Sequence, residues 1–169
     1  MDCDPFSVLG LPRRFDLDPG VIERAYLSRV AALHPDLARG DPEAPARAAA
    51  LNDARAMLAD PEKRAEVLLG LMGGSSQTKA LPEGLLQEML EAREALEMAQ
   101  MEGDRAAVAR WRDWAEARRA AHIERVRELF EAGVRGEAGA LDRIRRELNA
   151  WRYVERMLEQ MHEGGPTQV

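Results

Sequence analysis

Apolar positions along most of this chain recur at intervals of three and four, the spacing of one face of an α-helix. Residues 4–10, "DPFSVLG", read as a single helical turn: Asp4 caps it, Pro5 suits its first position and Gly10 stops it. Phe6 and Leu9 are spaced to bury together. After a loop, Asp18 and Pro19 start a helix in which Ile22, Tyr26, Arg29 or Val30, and Leu33 form the apolar face. It should end at His34, because the residue before a proline is pushed out of the α region. A third helix begins near Pro45 and puts Leu51, Ala54 and Leu58 on one side. Asp60-Pro61 breaks it and starts a fourth, with Ala65, Leu68, Leu69 and Met72 inward.

The rhythm lapses in "GGSSQTKALP", residues 73–82, where Gly, Ser, Thr and Gln cluster. A domain break is expected there, dividing 1–73 from 82–162 with a linker over 74–81. Three longer helices follow, from about Pro82 to Met101, Asp104 to Ala132 and Glu137 to Met161. Short turns between them predict an antiparallel three-helix bundle. The last helix carries Leu141, Ile144, Leu148, Trp151 or Tyr153, Val154, Leu158 and Met161 as its stripe. Residues 163–169 read as a disordered tail. The fold class is therefore all-α, a helical hairpin with flanking short helices joined to a bundle.

Composition agrees with this and narrows the chemistry. Of 169 residues, 32% are charged and only 5% aromatic, so the helices have charged outer faces. A net charge of -6 argues against nucleic acid as the main partner. No apolar run is long enough to span a bilayer, so no membrane partner is expected. A single cysteine, Cys3, rules out an internal disulfide and points to the reduced cytoplasm. His34, His122 and His162 lie far apart without Cys companions, so neither a metal site nor a cofactor is expected. No phosphate loop or nucleophile elbow is present. The chain reads as an interaction protein, with no catalytic residues and no enzymatic activity expected.

Two features exceed what folding needs. The first is the tripeptide His34-Pro35-Asp36, between two amphipathic helices. Pro35 alone would end the helix and hold its neighbours stiffly. Asp36 adds an acceptor-only carboxylate suited to a partner's arginine, and His34 adds a planar donor and acceptor. The second is the helix from Pro82. Leu85, Met89, Ala92, Leu96 and Ala99 form one stripe; Leu86, Leu90 and Arg93 form another, rotated by about 100°. A bundle helix needs one buried stripe, so the second is either flank packing or a binding patch, rimmed by Gln87, Glu91, Glu94 and Glu97. Trp111 and Trp114, one turn apart, are either helix packing or a cofactor box, with packing the common case.

With these residues in view, the chain resembles the J-domain co-chaperones. "DPFSVLGLP" is similar to a J-domain opening, HPD to the loop that docks on a DnaK-type ATPase, and "LNDARAMLADPEKRAEVLL" (51–69) to the closing segment. The Arg64-Ala65 pair and "LGLPRRFDLD", with Phe15 and Leu17, resemble the HscB type, which serves iron–sulfur cluster assembly. No Gly/Phe-rich linker or Cys-rich zinc region follows, as DnaJ itself would have. Instead "LLQEMLEAREALEMA" (85–99) is similar to the first helix of the HscB bundle.

That resemblance implies an L-shaped co-chaperone with two partners. An HscA- or DnaK-type chaperone would meet His34, Pro35 and Asp36 together with Arg24 and Arg29. An IscU-type scaffold would meet Leu86, Leu90, Glu91, Arg93, Glu94 and Tyr153. Tyr153 can also be read as bundle packing, and a different client or a plain helical adaptor stays open. Two departures stand out. Gln87 replaces an apolar residue common among relatives, and the helix before HPD is poor in basic residues, with Leu37 where Lys is common. Arg13, Arg14, Arg39 and Arg47 are candidates to compensate.

Overall fold

The computed structural model describes residues 4–33, 42–74 and 79–163, with side chains to Met161. Every regular element among the described residues is an α-helix. The chain divides into two compact units, Met1–Met72 and Gly73–Val169.

The first unit starts with α1 (Pro5–Leu9). Asp4 caps it by accepting the Phe6 N–H at 3.0 Å, and Gly10, at φ 63°, turns the chain out of the helix. Phe6 and Leu9 are buried. The loop beyond is not idle: it sends Phe15 and Leu17 into the same core. Helix α2 (Pro19–Ala32) is capped by Asp18, which accepts the Val21 N–H. It ends at Ala32, with Leu33 as its cap, so the expected end at His34 comes slightly late. Its apolar face is also thinner than the spacing predicts. Ile22 is buried, whereas Tyr26, Val30 and Leu33 are only partly covered and Arg29 is exposed. Polar contacts help hold α2 to α3 (Ala44–Ala59) instead. The Tyr26 hydroxyl donates to Asn52 Oδ1 at 2.7 Å, and Arg55 donates to Glu23 at 2.6 Å while lying over the Tyr26 ring.

Asp60 ends α3 and caps α4 (Pro61–Leu71) by accepting the Glu62 and Lys63 N–H groups. Ala65, Leu68 and Leu69 are buried as the spacing predicts, and Met72 is half-buried. Arg64 is buried too. Its Nε donates to the Phe15 carbonyl at 2.9 Å, its Nη1 donates to the Leu58 carbonyl, and its guanidinium lies over the Phe15 ring. Burial pushes the Arg64 pKa down, with Asp60 and Asp16 opposing that shift. One arginine thus ties the loop before α2 to the α3–α4 corner.

The second unit contains α5 (Leu85–Glu102), α6 (Arg105–Val134) and α7 (Ala140–Glu163). Helix α5 starts three residues later than expected, after Gly84 in the left-handed region at φ 77°. The residues just before it are already anchored: Asn149 donates to the Ala80 carbonyl at 3.1 Å and Leu81 packs on the core. Asp104 caps α6, which runs two residues past Ala132. Helix α7 starts later than Glu137 because that residue belongs to the turn, where its carboxylate holds Arg135 at 2.8 Å and Arg143 at 3.4 Å.

The α7 stripe resolves in favour of Trp151, which is fully buried and donates Nε1–H to Glu155 at 2.6 Å; Tyr153 is half-buried. Leu141 is also only half-buried. Arg119 of α6 donates to the same Glu155, and His122 Nδ1 lies 2.6 Å from Glu147 Oε1. These polar pairs flank an apolar seam of Val126, Phe130, Ile144, Leu148 and Val154. Trp111 and Trp114 meet edge to face, 5.5 Å apart, and pack against the bundle core.

Candidate partner-binding surfaces

Helix α5 has the two faces that its spacing predicts. Leu85, Met89, Ala92, Leu96 and Ala99 are all buried. Leu86 and Leu90 are 58% and 57% exposed, which rules out flank packing as their role. Two leucines on one ridge of a helix, one turn apart, present a continuous apolar strip to solvent.

Polar side chains frame the strip. Gln87 Nε2 donates to Glu91 Oε1 at 2.9 Å, so the residue that departs from the family pattern is drawn sideways to a neighbour. Arg93 donates to Glu97 at 2.8 Å, and Glu94 is exposed. Tyr153 comes from α7. Its ring is half-buried against the bundle core, and the Arg156 guanidinium sits 5.8 Å from its centre. Met89, Arg93, Tyr153, Arg156, Met157 and Gln160 line a cleft of about 170 Å³ between α5 and α7. The structure thus brings Arg93 and Tyr153 to one cleft, although sixty positions separate them. Leu86, Leu90, Glu91 and Glu94 share the exposed side of α5.

In the first unit, His34, Pro35 and Asp36 lie outside the described residues, as does Arg39. Arg24 and Arg29 are exposed on α2 but five positions apart, about 140° around the axis. They do not share a face. Arg24 folds back beside Gly20, whereas the Arg29 guanidinium lies over Gly10, where a Cβ would collide with it. Arg29 joins Arg47 at a cleft of about 360 Å³, which is otherwise lined by Val8, Ala32, Leu33, Ala50 and Leu51. Arg47 therefore adds a cation near the end of α2. Arg13 is committed elsewhere, donating to Asp4 at 2.8 Å, and Arg14 is exposed.

Among the described residues no group of three or more His, Cys, Asp or Glu is placed to hold a metal ion. No helix there is long and apolar enough to cross a membrane.

The chain matches the DnaJ domain family over residues 4–67 and the HSCB C-terminal oligomerisation domain family over residues 81–162. A co-chaperone protein HscB homolog of Bordetella pertussis is 32% identical across 98% of both chains. The chain belongs to the HscB family of J-domain co-chaperones. A second HscB homolog, from Ralstonia nicotianae, is 37% identical over 107 residues, covering 59% of this chain and 61% of that one. Two solved HscB structures share the fold. The Vibrio cholerae protein aligns at a TM-score of 0.78 and 23% identity, covering 95% of this chain and 96% of its own. The human one aligns at 0.81 and 21%, covering 96% and 82%.

Sequence reasoning missed two parts of this HscB surface. Arg156 and Gln160 stand three and seven positions after Tyr153, on the same side of α7, so helical spacing was a usable signal. Met98 and Met101, 61% and 89% exposed, prolong the apolar side of α5 toward its C-terminus. Their signal was weaker, because methionine in an Ala-rich helix reads equally well as core.

Proposed function

We propose that this HscB-family chain is a coupling factor in iron–sulfur cluster assembly. It holds an IscU-type scaffold on α5 and α7 through Leu86, Leu90, Glu91, Arg93, Glu94 and Tyr153. It also presents His34, Pro35 and Asp36, together with Arg24 and Arg29 of α2, to an HscA- or DnaK-type ATPase. The chain itself makes and breaks no bonds; ATP is hydrolysed in the chaperone, and joint contact with scaffold favours that step and cluster transfer. The observation that carries the reading is the exposure of Leu86 and Leu90 on a helix whose other stripe is fully used by the bundle. An apolar centre rimmed by charge suits a reversible protein interface. Dissociation constants in the micromolar range, about -8 kcal/mol, would let both contacts cycle.

The test is chaperone ATPase turnover with and without scaffold. Wild type should stimulate turnover, and scaffold should raise it further. His34→Gln should lose stimulation while still binding scaffold. Leu90→Ala should keep basal stimulation and lose the scaffold-dependent part. If wild-type protein leaves the ATPase unmoved, the chaperone half of the reading fails; if it does not bind scaffold, the other half fails.

A further inference from the structure

The cleft beside the exposed leucines has a chemistry of its own. Its floor is apolar, formed by the buried Met89 and Met157. Its walls carry one cation from each helix. Those cations are not equivalent. Arg93 is already held by Glu97 at 2.8 Å. Arg156 is exposed and rests near the Tyr153 ring, and among the described residues no carboxylate lies within ion-pair distance of it. Many other arginines of the bundle are committed, including Arg119 to Glu155 and Arg127 to Glu124.

Given scaffold docking on α5, on which this inference rests, we propose that the α5–α7 cleft receives an Asp or Glu side chain of the docked protein, with Arg156 as its principal ligand. Cleft size suits this occupant. A volume of about 170 Å³ equals between five and six waters at about 30 Å³ each, room for one acidic side chain with water beside it. The methionine floor takes the methylenes, the Arg156 guanidinium takes the carboxylate as a two-pronged donor, and the Gln160 amide offers a further donor. A basic side chain would meet Arg93 and Arg156 as like charges. An apolar one would cover Arg156 without a counter-charge, which is costly. A nucleic-acid backbone is disfavoured by the exposed Glu91, Glu94 and Glu97 alongside. A single carboxylate reaching past that acidic rim is what remains, and it would fix the register of a partner that Leu86 and Leu90 hold by apolar contact.

The experiment is calorimetric titration of the full chain with the IscU-type scaffold at low and high salt, using wild type, Leu90→Ala, Arg156→Gln, Arg156→Glu and Arg156→Lys. Because Arg156 is exposed, its variants should melt as wild type does. Arg156→Gln should bind about tenfold more weakly at low salt and approach wild type at high salt. Arg156→Glu should bind more weakly still, and Arg156→Lys should stay within about threefold of wild type. Binding by Arg156→Gln and Arg156→Glu equal to wild type, with Leu90→Ala impaired, overturns the cleft's role and leaves docking on α5 standing. A loss in Arg156→Gln that is independent of salt also overturns it. Absence of wild-type binding overturns the docking reading and this one together.

Discussion

The two units differ in how they leave large apolar side chains in water. Among the described residues of the first, the exposed ones are single residues on three helices: Leu27 on α2, Met57 on α3 and Leu71 on α4. In the second, Leu86, Leu90, Met98 and Met101 all stand on α5, and Val134 is a lone case at the end of α6. Isolated exposed apolar residues are ordinary, since no fold can cover them all. A row on one helix is different: Leu86 and Leu90 stand one turn apart, and neighbours on a ridge shed water together when a partner lands. The comparison teaches that arrangement, more than amount, marks an interaction surface.

Paired substitutions on α5 probe that contrast at its strongest. Leu96 is buried and Leu90 exposed on the same helix. Leu96→Ala should cost about 2–5 kcal/mol of stability, read by chemical denaturation. Leu90→Ala should leave stability within about 0.5 kcal/mol and weaken scaffold binding by about 1–3 kcal/mol, read by titration. Equal stability losses from both would break the distinction between the two stripes.

A smaller effect concerns how the first unit is pinned. Burial pushes the Asp4 carboxyl up, but the Ser7 hydroxyl, the Arg13 guanidinium and the Phe6 N–H outweigh it and hold the pKa below its usual value. A carboxyl lowered in the folded state stabilises above its unfolded pKa, near 4, and that contribution disappears as pH falls through the lower folded value. Asp4→Ala should therefore lower the neutral-pH stability by about 1 kcal/mol, the usual scale of a lost cap. It should also flatten the loss of melting temperature on acidification below about pH 4. Smallest of all, Leu27→Ala should change neither stability nor scaffold binding by more than about 0.5 kcal/mol. A large binding loss there would mean that scattered residues matter as much as the α5 ridge.

Much of this was legible beforehand where local chemistry is self-sufficient. Asp4 reads as the cap of α1, and Asp18 and Asp104 as the starts of α2 and α6; all three cap because a short carboxylate reaches the next free N–H groups whatever the rest of the chain does. The five-residue inner stripe of α5 was legible for a similar reason: 3.6-residue periodicity puts it on one side. Other points depended on neighbours. The spacing of α7 could not choose between Trp151 and Tyr153, which stand about 200° apart on the helix. Packing against α6 chose Trp151, whose ring is fully covered and whose N–H finds Glu155. The partial burial of α2 was hidden too, since periodicity does not say how much of a helix its neighbours cover.

The sequence by itself determined seven helical segments, the Asp4 cap, the surplus stripe on α5 and the excess of His34 and Asp36 over what a turn requires. These rest on interactions within a few residues, or on a repeat that any helix must obey. Only the tertiary structure decided which side chains from different helices share a surface. Arg29 meets Arg47 at one cleft, and Arg93 meets Tyr153 and Arg156 at another. Those meetings follow from how the helices align side by side, which is set by long-range packing and leaves no local trace in the chain.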